Sequence, residues 1–189
     1  MLDRLRSRLD SYLGGVGTWF SRLEPSPTAW TLIGLLVSIF AAISYYASGL
    51  RGQFLGGVLV LVAGWFDIVD GAVARVTGRS SSRGAFLDST LDRVAELALF
   101  SGILLGGYSP PFYVLLALAF SLLVSYTRAK GDSLGVALSG VGIGERSERL
   151  LIIAVTSLIG QVYWGVLLVV VVAAYTFFER TFRAVRSLR

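Results

Sequence analysis

The stretch DIVDGAVARVTGRSSSRGAFLDSTLD, residues 67–92, places four aspartates between two strongly apolar segments. Asp67 and Asp70 are three residues apart, Asp88 and Asp92 are four apart, and both spacings put each pair on one face of a helix. A short loop joins the two segments, so we expect antiparallel helices whose four carboxylates converge on one point. Four such charges beside hydrocarbon are very unfavourable unless cations neutralise them.

The rest of the chain has the composition of an integral membrane protein. Of its 189 residues, 54% are hydrophobic and 15% are charged, and the mean hydropathy is +0.72. Soluble domains carry about 25% charged residues. Several apolar runs reach the length of about 20 residues that spans a bilayer. We therefore predict an all-α integral membrane protein with six transmembrane helices, preceded by an amphipathic interfacial helix, in one domain over residues 1–189.

The predicted interfacial helix covers residues 1–24. Leu2, Leu5, Leu9 and Leu13 recur there at helical spacing with arginines between them, which is typical of a helix lying on an anionic leaflet. The six-helix bundle of residues 28–183 follows it. Its transmembrane helices are predicted at 28–48, 53–76, 85–107, 110–131, 146–162 and 164–183.

Loop charges orient these helices. With an even number of spans both chain termini lie on one side, and that side then carries nearly all the loop arginines, while the opposite side shows only Arg51. Positively charged loops favour the cytoplasmic side. We therefore predict a multi-pass protein of the cell membrane whose termini and Asp-rich loop face the cytoplasm.

Two missing residue types exclude several chemistries. The chain has no cysteine and no histidine, which removes disulfides, thiolate chemistry, the usual zinc ligands and the usual general base. Nucleic-acid binding is not expected either, because the basic residues lie at helix ends rather than on one soluble face. Acid–base chemistry is left to carboxylates, tyrosine, lysine or water.

The four aspartates suit divalent metal ions. Their short side chains offer the hard oxygen ligands that Mg²⁺ or Mn²⁺ prefers, and two ions sharing carboxylates match the number of aspartates. The alternative is a cluster of ion pairs between these aspartates and Arg75, Arg79 and Arg83 at the helix ends.

Small residues beside the aspartates leave room for a ligand. Gly71 and Ala74 lie on the helical face of Asp67 and Asp70, and Gly84 precedes Asp88 by four residues. For any single glycine, close helix packing explains the residue equally well. Arg75, one turn after Gly71, offers a bidentate contact to phosphate.

Together these positions follow the pattern D-x-x-D-G-x-x-A-R, eight residues, G-x-x-x-D-x-x-x-D. The pattern resembles the signature of the CDP-alcohol phosphotransferase family, and the resemblance covers essentially the whole chain. It implies transfer of a phosphatidyl-type group from a CDP-linked lipid to a small alcohol, with release of CMP, at two Mg²⁺ or Mn²⁺ ions in a homodimer. The positions that carry it are Asp67, Asp70, Gly71, Ala74, Arg75, Gly84, Asp88 and Asp92.

The resemblance also implies a role for each site residue. Asp92 is implied as the catalytic general base, and a carboxylate is the natural base in a chain without histidine. The segment Pro27–Thr31 resembles a P-N-x-x-T element that helps to hold the nucleotide, although a proline-initiated helix start explains it equally well. The implied metal ligands are Asp67, Asp70, Asp88 and Asp92. The implied CDP-lipid contacts are Thr28, Ala29, Trp30, Thr31, Asp67, Gly71, Ala74, Arg75, Ser81 and Gly84.

Two further stretches bear on the acceptor alcohol. SYTRAKGDSLG (125–135) and GIGERSERL (142–150) resemble the branch of the family that uses inositol 1-phosphate, with CDP-diacylglycerol or CDP-archaeol as donor. Matching to that branch implies that Arg128, Arg149 and Arg180 bind the acceptor phosphate; ordinary anchoring of positive loops is the other reading. The alternatives are sn-glycerol 3-phosphate as acceptor and, more distantly, a cation channel or transporter.

Overall fold

A computed structural model of the chain describes residues 27–77 and 81–188, together with Gly15, Thr18 and Trp19, but not the side chains of Pro27, Thr28 and Arg75. The predicted interfacial helix at 1–24 lies outside the continuous described ranges. Within those ranges the protein is all-helical. The helices are α1 (Pro27–Tyr46), α2 (Gly49–Thr77), α3 (Ser82–Leu105), α4 (Pro111–Ser133), α5 (Arg146–Leu158) and α6 (Val162–Ser187).

Each helix corresponds to one predicted span, with shifted ends. Helix α2 begins at Gly49, four residues before the predicted start, and α6 continues to Ser187, four residues past the predicted end. Helix α5 ends at Leu158 because the chain turns through Gly160, whose φ is +74°. The described ranges therefore hold six helices, one at each predicted span, and the fifth is shorter than expected.

Four of the described helices are long and apolar enough to cross a membrane: the apolar stretches are Ala29–Tyr46, Gly49–Ala74, Pro111–Ser133 and Val162–Ser187. Helix α3 falls below this level because its first half carries the polar motif. Helix α5 has only 13 residues and rises about 20 Å, less than the roughly 30 Å of bilayer hydrocarbon. The chain is thus a membrane protein with at least four helices suited to spanning.

The helices pack in a bundle in which α1 lies against α2 and α3, α2 against α5, and α6 against α4 and α5. The main core draws on all six helices and includes Tyr45, Phe100, Val114, Ile153 and Val166. In a membrane, close van der Waals packing of these side chains holds the helices together.

Two close contacts fix how the helices meet. At Gly102 of α3, an added Cβ would lie 2.7 Å from the Cα of Ala42 in α1, so only glycine permits this approach. The hydroxyl groups of Tyr45 and Ser157 lie 2.6 Å apart in a buried hydrogen bond. This bond joins the end of α1 to the end of α5. It gives each hydroxyl the partner that a buried polar group needs.

Candidate active site

The acidic site forms where the end of α2 meets the start of α3. Asp67, Asp70 and Asp88 each offer a carboxylate oxygen, and these oxygens lie within 4.8 Å of one another. Asp67 is exposed, Asp88 is half-buried and Asp70 is buried. The structure thus brings together three of the four carboxylates that were expected to converge.

The first helix orients one of these carboxylates. Thr31 Oγ1 of α1 donates a hydrogen bond of 2.9 Å to Asp70 Oδ2. One residue earlier, the ring of Trp30 stacks on Phe66 of α2, with ring centroids 5.9 Å apart. Trp30 also belongs to a small buried cluster with Val69 and Val73. The start of α1 is therefore packed against the helix that carries Asp67 and Asp70.

Asp92 lies beside the three-carboxylate group and is held by cations. Its Oδ1 is 2.9 Å from Arg146 Nη1, and its Oδ2 is 3.4 Å from Arg93 Nη2. The same Arg146 Nη1 is 3.1 Å from Asp67 Oδ1. Arg146, the first residue of α5, therefore bridges carboxylates of α2 and α3 and offsets part of their mutual repulsion.

The three-carboxylate group fits a divalent metal ion. Asp88 Oδ1 is buried and has no hydrogen-bond partner among the described residues, and such a buried oxygen is costly unless something binds it. Within the part of the chain whose side chains are described, neither Asp70 nor Asp88 forms an ion pair. The donor set of carboxylate oxygens is also the set that Mg²⁺ and Mn²⁺ prefer.

A small cleft opens between α1, α2, α3 and α5. Its cavity is about 20 Å³ and is lined by residues that include Thr31, Ser38, Asp70, Asp92 and Arg146. That volume holds about one water molecule. A nucleotide-linked lipid does not fit inside it and would have to lie across its open side.

The predicted CDP-lipid contacts surround the motif. Gly71 and Ala74 are half-buried on α2. Ser81 is the N-cap of α3, and its hydroxyl accepts a 3.0 Å hydrogen bond from the backbone N–H of Gly84. Ala29 and Trp30, half-buried and buried respectively, lie with Thr31 in α1. The side chains of Thr28 and Arg75 lie outside the described part, so their contacts stay predictions.

The three predicted acceptor arginines lie around the start of α5, facing different partners. Arg128 is 47% exposed in its side chain, and its Nη1 lies 3.9 Å from Glu145 Oε1. Arg180 is buried and donates to Glu145 Oε1 at 2.7 Å, to Val141 O at 2.9 Å and to Val124 O at 3.1 Å. Glu145 therefore brings Arg128 and Arg180 together.

Arg149 binds a different carboxylate, that of Glu96. It is 1% exposed and donates to Glu96 Oε1 through Nε at 3.0 Å and Nη2 at 2.7 Å, and to Gly144 O at 2.6 Å. In this conformation protein acceptors occupy the guanidinium groups of both Arg149 and Arg180. Their direct contact with an acceptor phosphate stays a prediction.

Two residues of the site are not among the site residues predicted from the sequence. Arg146 contacts Asp67 and Asp92, and Glu96, four residues after Asp92, is the buried partner of Arg149. The pattern ERSER contains two arginines three residues apart, which share a helical face, but spacing does not say which one faces the aspartates. Glu96 could have been noticed as a lone carboxylate in the apolar half of a predicted span.

Known proteins resemble this chain along most of its length. Residues 26–178 match the CDP-alcohol phosphatidyltransferase family. Archaetidylinositol phosphate synthase of Pyrococcus horikoshii is 36% identical over 188 residues, which cover 100% of this chain and 98% of that protein. Archaetidylinositol phosphate synthase of Methanothermobacter thermautotrophicus is 46% identical over 130 residues, covering 69% of this chain and 65% of that protein.

Solved structures agree with the sequence relatives. Phosphatidylinositol phosphate synthase of Mycobacterium tuberculosis, crystallised with CDP-DAG bound, superposes with a TM-score of 0.78 at 25% identity, covering 91% of this chain and 92% of that one. Its complex with manganese and citrate gives a TM-score of 0.78 at 26% identity, covering 91% of this chain and 88% of that one.

The four aspartates in their fixed frame, the helical bundle and these matches define a membrane-bound transferase. The chain belongs to the CDP-alcohol phosphatidyltransferase family.

Proposed function

We propose that this protein transfers the phosphatidyl-type group of a CDP-linked lipid, CDP-diacylglycerol or CDP-archaeol, to the hydroxyl of inositol 1-phosphate. The observation that carries the proposal is the group of carboxylates of Asp67, Asp70 and Asp88 beside Asp92. The names of the archaeal relatives and the CDP-DAG complex of the mycobacterial enzyme support the choice of acceptor and donor.

The bonds that change are those of one phosphoryl transfer. The acceptor oxygen forms a bond to the lipid-side phosphorus, and the bond from that phosphorus to the oxygen of CMP breaks. The hydroxyl proton passes to Asp92, and CMP leaves with the electron pair of the broken bond. Positioning and charge stabilisation supply most of the rate in such reactions.

Asp67, Asp70, Asp88 and Asp92 would hold two Mg²⁺ or Mn²⁺ ions. When bound, these ions would screen the charge of the diphosphate and stabilise the leaving phosphate. Asp88 Oδ1, which is buried without a hydrogen-bond partner among the described residues, supports this assignment, as does the manganese complex of the mycobacterial enzyme.

The chain's own residues prepare the carboxylates for these roles. Thr31 holds one oxygen of Asp70 through its hydrogen bond and so restrains the orientation of this carboxylate. Arg146 and Arg93 hold the two oxygens of Asp92 and favour its charged form, which is the form that accepts a proton.

The donor nucleotide would lie along α2 and the start of α3. Gly71 and Ala74 present little bulk beside Asp67 and Asp70, so the diphosphate can approach the helix. Arg75 would contribute a bidentate contact. Ser81 and Gly84 at the cap of α3, together with Thr28, Ala29, Trp30 and Thr31 at the start of α1, complete the proposed CDP-lipid contacts.

The acceptor's phosphate would be met by cations around the start of α5. Arg128 is the exposed member of the predicted set, and Arg146 reaches Asp92 directly. Arg149 and Arg180 would contact the phosphate only after releasing Glu96 and Glu145, which hold them in this conformation. A phosphorylated acceptor suits such a site, because several fixed cations gather at one end of the bundle.

We further propose that all six helices form a transmembrane bundle, with the termini and the site on the cytoplasmic side, and that the enzyme is a homodimer with residues 1–24 forming an interfacial helix. Arg146, at the start of α5, contacts Asp67, which lies ten residues before the end of α2. Helix α5 therefore starts about 15 Å along α2 from its end. From that depth, 13 residues suffice to reach the far side.

Release of CMP tests this proposal. Purified protein would receive CDP-lipid, Mn²⁺ or Mg²⁺, and inositol 1-phosphate, sn-glycerol 3-phosphate or no acceptor. We expect CMP only with inositol 1-phosphate and metal. Release with glycerol 3-phosphate alone would change the acceptor and keep the chemistry. If no acceptor leads to CMP release, the proposed enzymatic activity is wrong. A channel or transporter would then be the alternative, although carboxylates along several helices would be expected for it.

A further inference from the structure

Two ion pairs join α3 to α5, one turn apart. The outer pair is Asp92–Arg146, with 2.9 Å between Oδ1 and Nη1. The inner pair is Glu96–Arg149, with 2.7 Å between Oε1 and Nη2. Glu96 follows Asp92 by four residues and Arg149 follows Arg146 by three, so each pair continues the same two helical faces.

The inner pair is fully buried. Glu96 and Arg149 are each 1% exposed. Arg149 also donates to the carbonyl oxygen of Gly144 at 2.6 Å, just before the N-cap of α5 at Glu145. Glu96 thereby holds both the first turn of α5 and the segment that enters it. Removing one partner of such a pair leaves a buried charge without compensation.

The two pairs also share a small cavity. Glu96 and Arg146 both line a cavity of about 10 Å³, together with Ser38 and four apolar or small side chains from neighbouring helices, plus Leu150 of α5. Glu96 Oε2 and Arg146 Nε are buried and lack hydrogen-bond partners among the side chains that the structure describes. One is an acceptor and the other a donor, and the volume approaches that of one water molecule.

We propose that Glu96 is a positioning residue of this enzyme. Through Arg149 it fixes the register of α5 against α3, and through one buried water it holds Arg146 Nε, so that Arg146 Nη1 faces Asp92 and Asp67. This inference deepens the proposed function and rests on it, because it assigns Glu96 the task of placing the cation beside the proposed base. Glu96 itself touches no substrate.

A purely structural ion pair would behave differently. Its loss would lower thermal stability without a selective effect on the chemical step. Loss of a positioning residue should lower kcat while leaving the KM and the Kd for CDP-lipid unchanged, since a misplacement of about 1 Å can cost about 100-fold in rate. The two roles therefore separate in the split between kcat and KM.

The test compares Glu96→Gln with Tyr45→Phe. Tyr45→Phe removes the buried hydrogen bond at the opposite end of α5, so it is a control for destabilised attachment of that helix. We expect Glu96→Gln to lower kcat at least about tenfold with unchanged CDP-lipid binding, and Tyr45→Phe to lower only the thermal midpoint. Equal kcat losses in the two variants, or kcat within about twofold of wild type in folded Glu96→Gln, would overturn the inference.

A double-mutant cycle shows whether Glu96 acts through Arg146. Glu96→Gln, Arg146→Lys and the double variant would be compared for kcat. If Glu96 acts through Arg146, the effects of the two substitutions on kcat should be non-additive. If the two residues act independently, their effects on kcat should multiply. If Glu96→Gln does not fold, Glu96→Asp replaces it in both comparisons and is judged by the same outcomes.

Wild-type activity keeps the two hypotheses apart. CMP release by the wild type together with an unaffected Glu96 variant would refute the positioning role and leave the proposed function standing. A wild type that releases no CMP with any acceptor would refute the proposed function itself.

Discussion

Thr31 Oγ1 and Asp70 Oδ2 lie 2.9 Å apart in a hydrogen bond that joins residues 39 positions apart in the chain. The bond links the start of α1 to a carboxylate near the end of α2. It restrains the carboxylate of Asp70, one oxygen of which lies within 4.8 Å of oxygens of Asp67 and Asp88. Geometry at the metal site is therefore set partly by a helix that contributes no carboxylate.

Replacing Thr31 by valine should weaken divalent metal binding. The variant keeps the shape of the side chain and loses the hydroxyl donor, and a hydrogen bond to a charged group contributes about 1.5 kcal/mol, roughly tenfold in affinity. Titration with Mn²⁺ followed by electron paramagnetic resonance measures the change. Thr181→Val is the control, because its exposed hydroxyl bonds only to its own helix. Equal Mn²⁺ affinity in the two variants would contradict this role.

Replacing Asp88 by asparagine should abolish the response to metal. The substitution removes the charge from a carboxylate whose buried oxygen lacks a partner among the described residues. Losing an outer-shell partner costs roughly 10–100-fold in metal affinity, and a direct ligand costs more. We expect Mn²⁺ to raise the thermal midpoint of the wild type and of the exposed control Asp132→Asn, but not of Asp88→Asn. If Mn²⁺ still raises the thermal midpoint of Asp88→Asn, Asp88 is not a metal ligand.

Replacing Asp92 by asparagine should stop turnover without loss of donor binding. A general base contributes about 10²–10⁴-fold, so CMP release should fall by that factor while CDP-lipid binding stays within a few fold. Single-turnover CMP release and a lipid-binding titration measure the two quantities. Ser89→Ala, an exposed change on the same helix, serves as control. Full activity in Asp92→Asn would refute its role as base.

Replacing Arg128 by glutamine should raise the KM for the acceptor. Loss of one charge-assisted contact to phosphate is expected to raise it about tenfold with little effect on the KM for CDP-lipid. The matched control is Arg183→Gln, since Arg183 is 57% exposed in its side chain and Arg128 is 47% exposed. If both variants raise the KM equally, general surface charge explains the effect instead.

Replacing Gly102 by alanine should destabilise the bundle. The new Cβ would lie 2.7 Å from the Cα of Ala42, and forced overpacking costs about 1–3 kcal/mol. Thermal unfolding in detergent measures the fall in the midpoint. Gly64→Ala is the control, because nothing lies within 4 Å of a Cβ built there. Since alanine favours a helix, this control should match or exceed the wild-type midpoint.

Local spacing made much of the fold and the acidic site predictable. Apolar runs separated by Gly and Pro gave the six helices to within a few residues, and the three- and four-residue spacings put the aspartates on shared helical faces. Asp67, Asp70 and Asp88 lie together, and Asp92, which was expected to join them, lies beside them in ion pairs with Arg146 and Arg93. These features depend on neighbours in sequence, which periodicity reports directly.

The partners of the arginines depend on helix packing and were not predictable in the same way. Arg149 was expected to bind the acceptor phosphate, but its buried partner is Glu96, 53 residues away on α3. Arg146 occupies the place beside the aspartates. Which of the two arginines reaches the aspartates depends on the depth and rotation of α5, and no local pattern reports either.

The shortness of α5 has a consequence for how two unlike substrates meet. If α5 starts below the end of α2 as proposed, a water-soluble polyol phosphate would reach the level of the lipid's diphosphate. The donor would then keep its hydrocarbon chains among the surrounding lipids throughout the reaction. Transfer would require no extraction of the lipid, only entry of the polyol at the membrane boundary.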